Sequence, residues 1–176
     1  MKIISKLNLK KKKNIKILDI GAGDGLQVSY FRKIFKNPEI WCLDSSQRSL
    51  KSLKKKFKSK NIKTFNSNMD DLPNFLKSKK IFNYFDIAHS SYSLYYSKKQ
   101  NTVMKAMKNS LCKNGIFLVS APSEPHEMVS FVNDIQKIPY QIMKTLKFYK
   151  KILLPFLKKN GKANIYKKKI NYINFN

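Results

Sequence analysis

Apolar residues along this chain follow two alternating rhythms. Short apolar runs at Ile15–Ile20, Glu39–Asp44, Asn61–Asn66, Tyr84–His89 and Gly115–Ser120 read as strands one to five. The inner residues of the first two are almost wholly apolar, which suits parallel strands covered on both faces. Between the runs, apolar positions return every three or four residues with lysine between them, the spacing of amphipathic helices. Gln27–Phe35 presents Val28, Phe31, Ile34 and Phe35, and Ser46–Lys58 presents Leu50, Leu53 and Phe57. A short helix closes over Phe75–Lys79, and Lys98–Cys112 aligns Val103, Met107 and Leu111. Asn37-Pro38 stops the first helix, and Lys113-Asn114-Gly115 ends the last. Strand and helix alternate throughout, which predicts an α/β fold. Beyond Ala121, Met128–Lys159 reads as a helical region interrupted at Pro139 and Pro155. Its candidate packing positions are Phe131, Ile135, Ile138, Ile142, Met143, Leu146 and Phe148. Ala163–Phe175 alternates like a strand and is the candidate for strand six.

Composition narrows the class. A chain of 176 residues with 42% hydrophobic content is long and apolar enough for one globular domain. No apolar run approaches a membrane span. Met1–Lys16 lacks the apolar core and small-residue cleavage site of a signal peptide. Cys42 and Cys112 lie inside predicted elements without pairing or metal spacing and read as buried thiols of a reducing compartment. The expectation is a soluble cytoplasmic domain with no membrane partner. A net charge of +27 raises the question of nucleic acid, yet the arginines are only Arg32 and Arg48. Lysine without arginine is weak support for base or bidentate phosphate recognition. Lys, Asn and Ile are abundant together, the signature of AT-rich coding, and the lysine runs Lys10–Lys13, Lys54–Lys56 and Lys167–Lys169 are scattered. Codon bias is therefore preferred to a nucleic-acid partner.

The candidate chemistry sits where strand one ends, in Ile17-Leu18-Asp19-Ile20-Gly21-Ala22-Gly23-Asp24-Gly25. Glycines at 21, 23 and 25 allow a sharp turn and a close approach to a ligand at the carboxyl end of a buried strand. The spacing is G-x-G-x-G, not the G-x-G-x-x-G of a dinucleotide loop. Asp19 and Asp24 line it with carboxylate, which repels a pyrophosphate but suits an ammonium group and ribose hydroxyls. Asp44 ends strand two, 19 residues after Gly25. That is close to the offset of about 20 residues at which an acid meets ribose hydroxyls in such folds. The competing reading of Asp44 is a helix N-cap, but Ser45 and Ser46 suffice for that.

The run Asp19-x-Gly21-x-Gly23-x-Gly25 resembles motif I of the class I S-adenosylmethionine-dependent methyltransferases. The resemblance implies a doubly wound Rossmann-like sheet of about six to seven mostly parallel strands, with helices on both faces. It implies S-adenosyl-L-methionine as cofactor, held by Asp19, Gly21, Ala22, Gly23 and Gly25 in the first loop and by Asp44 with Ser45 after strand two. Asn66-Ser67-Asn68-Met69-Asp70-Asp71-Leu72-Pro73 is similar to the family's loop after strand three. An acid there accepts from the adenine amino group while an apolar side chain covers the ring. Met69 takes the second role. Asp70 takes the first, with Asp71 competing almost evenly because it also suits an N-cap. Ser90 follows strand four, where the family places residues beside the sulfonium and the acceptor. The tetrad [Asn/Asp/Ser]-Pro-Pro-[Tyr/Phe] of the base-amino enzymes is absent. The Ser- and Tyr-rich loop Ser90–Tyr96 is instead similar to that of the family's small-molecule branch. Its tyrosines either wall an acceptor site or pack a lid. Ser90, Tyr92 and His89 are the weak catalytic candidates, His89 being more readily a hydrogen-bonded core residue.

The resemblance covers Ile15–Ser120 well, and residues 121–176 weakly. The 1–176 chain reads as one domain, with a cofactor-binding core at 15–120 and a helical region plus a C-terminal strand after it. A complete domain of this type ends in an antiparallel strand pair, and about one strand's length remains, so the pair is incomplete and the chain is either a minimal form or a truncated one. Ser123-Glu124-Pro125-His126-Glu127 lacks the third partner a metal site needs and reads as a loop with an acidic helix start. The expected activity is methyl transfer to nitrogen or oxygen of a small molecule. RNA or protein methylation, or a non-catalytic cofactor-binding relative, are the alternatives.

Overall fold

The computed structural model describes residues 14–121 and 147–160. The chain divides into two compact units, Met1–Ala121 and Pro122–Asn176. In the first, five parallel strands are joined by helices: β1 (Lys16–Ile20), α1 (Leu26–Ile34), β2 (Glu39–Asp44), α2 (Gln47–Lys56), β3 (Ile62–Asn66), α3 (Leu72–Ser78), β4 (Phe85–Ser91), α4 (Gln100–Asn109) and β5 (Leu111–Ser120). The sheet order is β3-β2-β1-β4-β5, so the chain winds outward from β1 in both directions. β1 and β4 therefore meet where the strand order reverses, the place at which open α/β sheets hold ligands.

Why β1 is central is written in its side chains. Ile17, Leu18 and Ile20 are fully buried, on alternating faces of the strand. One face packs on α1 and α2: Ile17, Ile40, Cys42 and Ile87 meet Val28, Phe31 and Leu53. The other is built on Trp41, whose ring lies 5.0 Å from Phe65, 5.6 Å from Phe85 and 6.3 Å from Phe75 of α3. At the strands' amino ends Glu39 accepts hydrogen bonds from Trp41, Lys63 and Tyr84. Burial raises the Glu39 pKa, but those bonds and the Lys63 charge outweigh it and leave the carboxyl below its ordinary value.

Two sequence expectations change. Lys98–Cys112 does not stay helical to its end: α4 stops at Asn109, and Leu111 already pairs with Phe85 in β5. The Ser110 carbonyl accepts from the amides of Tyr84 and Phe85, a non-local pairing that ends the helix early. Ile116 pairs next, with Ile87, so Lys113-Asn114-Gly115 bulges out of the strand, Asn114 taking φ 64°. Among the described residues the sheet has five strands, not six to seven. The candidate strand six at 163–175 lies outside them, as do His126 and its neighbours.

In the second unit, a wide π-helical turn at Phe148–Leu153 continues into α5 (Leu154–Asn160). The expected interruption at Pro155 is absorbed there. Pro155 has no amide hydrogen to give, and the preceding turn is already wound so that the Leu154 amide donates five residues back, to the Tyr149 carbonyl. No helix among the described residues is long and apolar enough to cross a membrane.

Phe31 is fully buried between the α1–α2 core and the sheet. Phe31→Ala is expected to cost about 3–5 kcal/mol. The readout is a lowered urea midpoint at an unchanged m-value.

Candidate functional site

The carboxyl ends of β1, β2, β3 and β4 bring the expected residues together. After β1 the backbone turns through three left-handed glycines, Gly21 (φ 72°), Gly23 (φ 55°) and Gly25 (φ 87°), a conformation costly for residues with a Cβ. Three successive amides of this loop donate to the end of β2: Gly21 and Ala22 to the Leu43 carbonyl at 2.8 and 3.1 Å, and Gly23 to Asp44 Oδ2 at 2.8 Å. Asp44 Oδ1 accepts from the Ser46 amide at 2.7 Å. Ser46 itself caps α2, its hydroxyl accepting from the Ser49 amide, so Asp44 is not the cap. Each Asp44 oxygen keeps a further acceptor site.

The glycines differ in what surrounds them. A Cβ on Gly21 would meet Ser93 at 2.4 Å, and one on Gly25 would meet Phe57 at 2.7 Å, so both are packing positions. A Cβ on Gly23 would meet nothing within 4 Å. The loop thus turns two closed faces to the protein and one open face outward, beside Asp44.

Beneath the loop lies a buried pair. Asp19 (1% exposed) and His89 (2%) are register partners on β1 and β4, with His89 Nδ1 2.7 Å from Asp19 Oδ1. The Phe31 ring sits edge-on to the imidazole at 5.3 Å. Asp19 Oδ2 has no partner among the described residues. On the other side Asp19 is in register with Cys42, whose thiol is held protonated by burial and by the Asp19 charge, well above its ordinary pKa. His89 is therefore walled in by the sheet and α1.

The last residues of β4 and the segment after it close the floor. Ser90 is buried and shares a hydrogen bond with Ser93, whose hydroxyl donates to the Ile20 carbonyl at 2.9 Å. Tyr92 takes φ 53°, donates its amide to the Ser120 carbonyl and leaves its ring 51% exposed. The Tyr95 and Tyr96 rings lie 4.5 Å apart, tilted by 47°. Burial, with the Tyr96 and Tyr92 hydroxyls nearby, pushes the Tyr95 phenol well up.

After β3, Met69 is half-buried at the start of a one-turn 3-10 helix, capped by Asn68 accepting from the Asp70 amide. Asp70 accepts from the Ser97 hydroxyl and from the amides of Lys98 and Lys99, which tethers this loop to the entry of α4. Burial raises its pKa, but these bonds and the Lys99 charge outweigh that and leave it below the ordinary carboxylate value. Asp71 is exposed and makes no side-chain cap bond. Ser45 and Asp24 are also exposed. Ser93 and Ser97 were not singled out from the sequence. A serine in a polar loop carries no local signal that it will lie against a glycine or a carboxylate from another strand. Among the described residues no cluster of His, Cys, Asp and Glu could hold a metal ion.

A family described as a methyltransferase domain matches residues 11–173. No curated protein sequence matches the chain. Among solved structures, the chain is similar to a protein of Methanococcus maripaludis described as an S-adenosylmethionine-dependent methyltransferase. Identity is 18% and TM-score 0.61, over 89% of this chain and 72% of that one. It is also similar to an S-adenosylmethionine-dependent methyltransferase of Mesorhizobium loti, with 20% identity and TM-score 0.53, over 61% of this chain and 46% of that one. A third structure of the same fold is the [4+2]-cyclase SpnF, at 17% identity and TM-score 0.54, over 66% of this chain and 43% of that one. The chain thus spans about half the length of several of these relatives.

Because the Asp70 carboxyl is lowered in the folded protein, its contribution to stability is complete above the unfolded value, about 3.9. It is lost as pH falls through the lower folded value. Asp70→Ala should melt below the unsubstituted protein at neutral pH. The gap between the two melting temperatures should close as pH falls from about 4 downward.

Proposed function

Since this chain belongs to the methyltransferase domain family, we propose that it binds S-adenosylmethionine across the carboxyl ends of β1 and β2 and transfers the methyl group to nitrogen or oxygen of a small molecule. The observation that carries the reading is the open face at Gly23 beside a carboxylate fixed by two backbone amides. A ligand can lie against that backbone because no Cβ intervenes, and Asp44 keeps acceptor sites directed at its hydroxyls. Asp19 leaves one oxygen, Oδ2, without a partner among the described residues, and an acceptor beside the loop suits an ammonium group better than a pyrophosphate.

When bound, S-adenosylmethionine supplies an electrophilic methyl group on a sulfonium, open to in-line displacement. The protein's part is then orientation and exclusion of water. Asp44 holds the ribose, and Met69 covers the base. With Asp70 committed to the entry of α4, Asp71 is the better acceptor for an adenine amino group. Ser90, enclosed with Ser93, shapes the floor, and Ser93 packs against Gly21. Exposed Tyr92 and Tyr96 offer aromatic faces toward an acceptor, which favours an amine or a flat ring. His89 is too enclosed to reach a substrate, and no general base is assigned. The acids Asp24, Asp44, Asp70 and Asp71 at this edge favour a small acceptor over a polyanionic one.

Calorimetric titration with S-adenosylhomocysteine tests this directly. Micromolar binding is expected, weakened at least about tenfold by Asp44→Asn, a loss of about 1.4 kcal/mol. Gly23→Ala should abolish it while the protein stays folded, since the added methyl meets only open space and the left-handed backbone costs about 1–2 kcal/mol. A folded protein that binds no S-adenosylhomocysteine would sink the proposal.

A further inference from the structure

The four described helices of the first unit share a charge pattern that the sheet turns into a surface. None has an acid in its first turn, and each ends on cations: Arg32 and Lys33 in α1, Lys54–Lys56 in α2, Lys77 in α3 and Lys108 in α4. With every strand parallel, each connecting helix must run back against them, so all four last turns lie at the amino edge of the sheet. The connections after these helices add exposed Lys36, Lys58, Lys60, Lys79 and Lys80 at the same edge. Among the described residues the acids there are Glu39 and Asp86, and both are already engaged. Glu39 is bonded to Trp41, Lys63 and Tyr84, and Asp86 accepts from the Lys16 amide and the Cys112 thiol.

Compositional drift toward lysine would load both edges alike, and among the described residues it does not. The carboxyl edge sets Asp24, Asp44, Asp70 and Asp71 against Arg48, Lys98 and Lys99. Nor does the helix dipole explain the excess. One cation in a last turn stabilises by about 0.3–1 kcal/mol, but neighbouring cations repel one another.

An aromatic ring stands in this field. Phe82 is 64% exposed, in the turn between α3 and β4. The turn is built, with Lys80 (φ 53°) and Asn83 (φ 50°) both left-handed and the Ile81 amide bonded back to Leu76 at 2.9 Å. Ile81 is buried while Phe82 points away. The Asn83 amide donates to the Asn109 carbonyl, which brings the end of α4, and with it Lys108, beside Lys79 and Lys80.

We propose that this amino edge binds the phosphate backbone of a single-stranded nucleic acid, with Phe82 stacked on a base, on the side of the sheet opposite the glycine loop. Lysines that track phosphate need no base readout, so scarce arginine is no obstacle. A lipid surface fits less well. Of the exposed large apolar side chains among the described residues, Leu26, Tyr92 and Tyr96 lie at the other edge, which leaves Phe82 alone to enter a bilayer. The strand is thus a docking partner, separate from the methyl acceptor, and the proposal holds whether or not methyl transfer does.

Fluorescence anisotropy with a labelled oligoadenylate of about 20 nucleotides tests it on the full chain. Affinity should fall steeply between about 50 and 200 mM salt. Lys77→Glu, Lys79→Glu and Lys108→Glu together should weaken binding at least about tenfold. A triple of equal charge change away from this edge (Arg48→Glu, Lys51→Glu, Lys98→Glu) should cost less than about threefold. Phe82→Ala should weaken oligoadenylate about tenfold and leave inorganic polyphosphate, which has no bases, unaffected. Equal losses in the two triples would overturn the proposal, as would an inert Phe82→Ala. So would binding to phosphatidylserine vesicles in place of the oligonucleotide.

Discussion

The first unit depends on how the chain leaves β1. Three consecutive amides, Gly21, Ala22 and Gly23, are satisfied by the last two residues of β2, one of them through a side chain. A strand buried on both faces must release its backbone into a turn without leaving amide hydrogens orphaned. Here the neighbouring strand supplies the acceptors. That solution fixes the loop, aims its one open glycine outward and orients Asp44 with the same bonds. The site is therefore no addition to the fold but the way the central strand ends.

Much of this was legible in the chain. β2 falls on Glu39–Asp44 as its pattern predicts, and α2 starts behind Ser46 because a serine there satisfies the first turn. The glycine loop was visible because its residue types have few other uses. What the sequence hid is non-local. That Leu111 would leave the helix follows from the amides of Tyr84 and Phe85, which no local periodicity reveals. Asp70 and Asp71 are alike on paper, and only the arrival of Ser97 from another connection distinguishes them. His89 reads more readily as a core residue than as a base, and Asp19 and Phe31 around it show what encloses it.

The doubly wound plan also sorts charge. A sequence reading finds lysine almost everywhere and reasonably treats it as background. Folding places the ends of successive helices side by side, so a bias that is diffuse along the chain becomes concentrated in space. The same operation gathers at the opposite edge those acids that end strands or follow them. Electrostatic polarity of this kind is invisible to net charge and to run length, because it depends on which end of each helix a residue occupies.

Cys42 carries a last consequence. Its thiol sits in the middle of the sheet, protonated by burial and by the carboxylate next to it. Only the thiolate reacts with alkylating agents, so the intact molecule is chemically silent at this position. The Cys42 side chain faces the α1–α2 layer, so labelling requires that layer to lift from β2 long enough for water to enter. α1 starts directly behind the glycine loop, so the same movement pulls on the loop. The rate at which Cys42 is modified is therefore a clock for transient opening between helices and sheet, next to the loop.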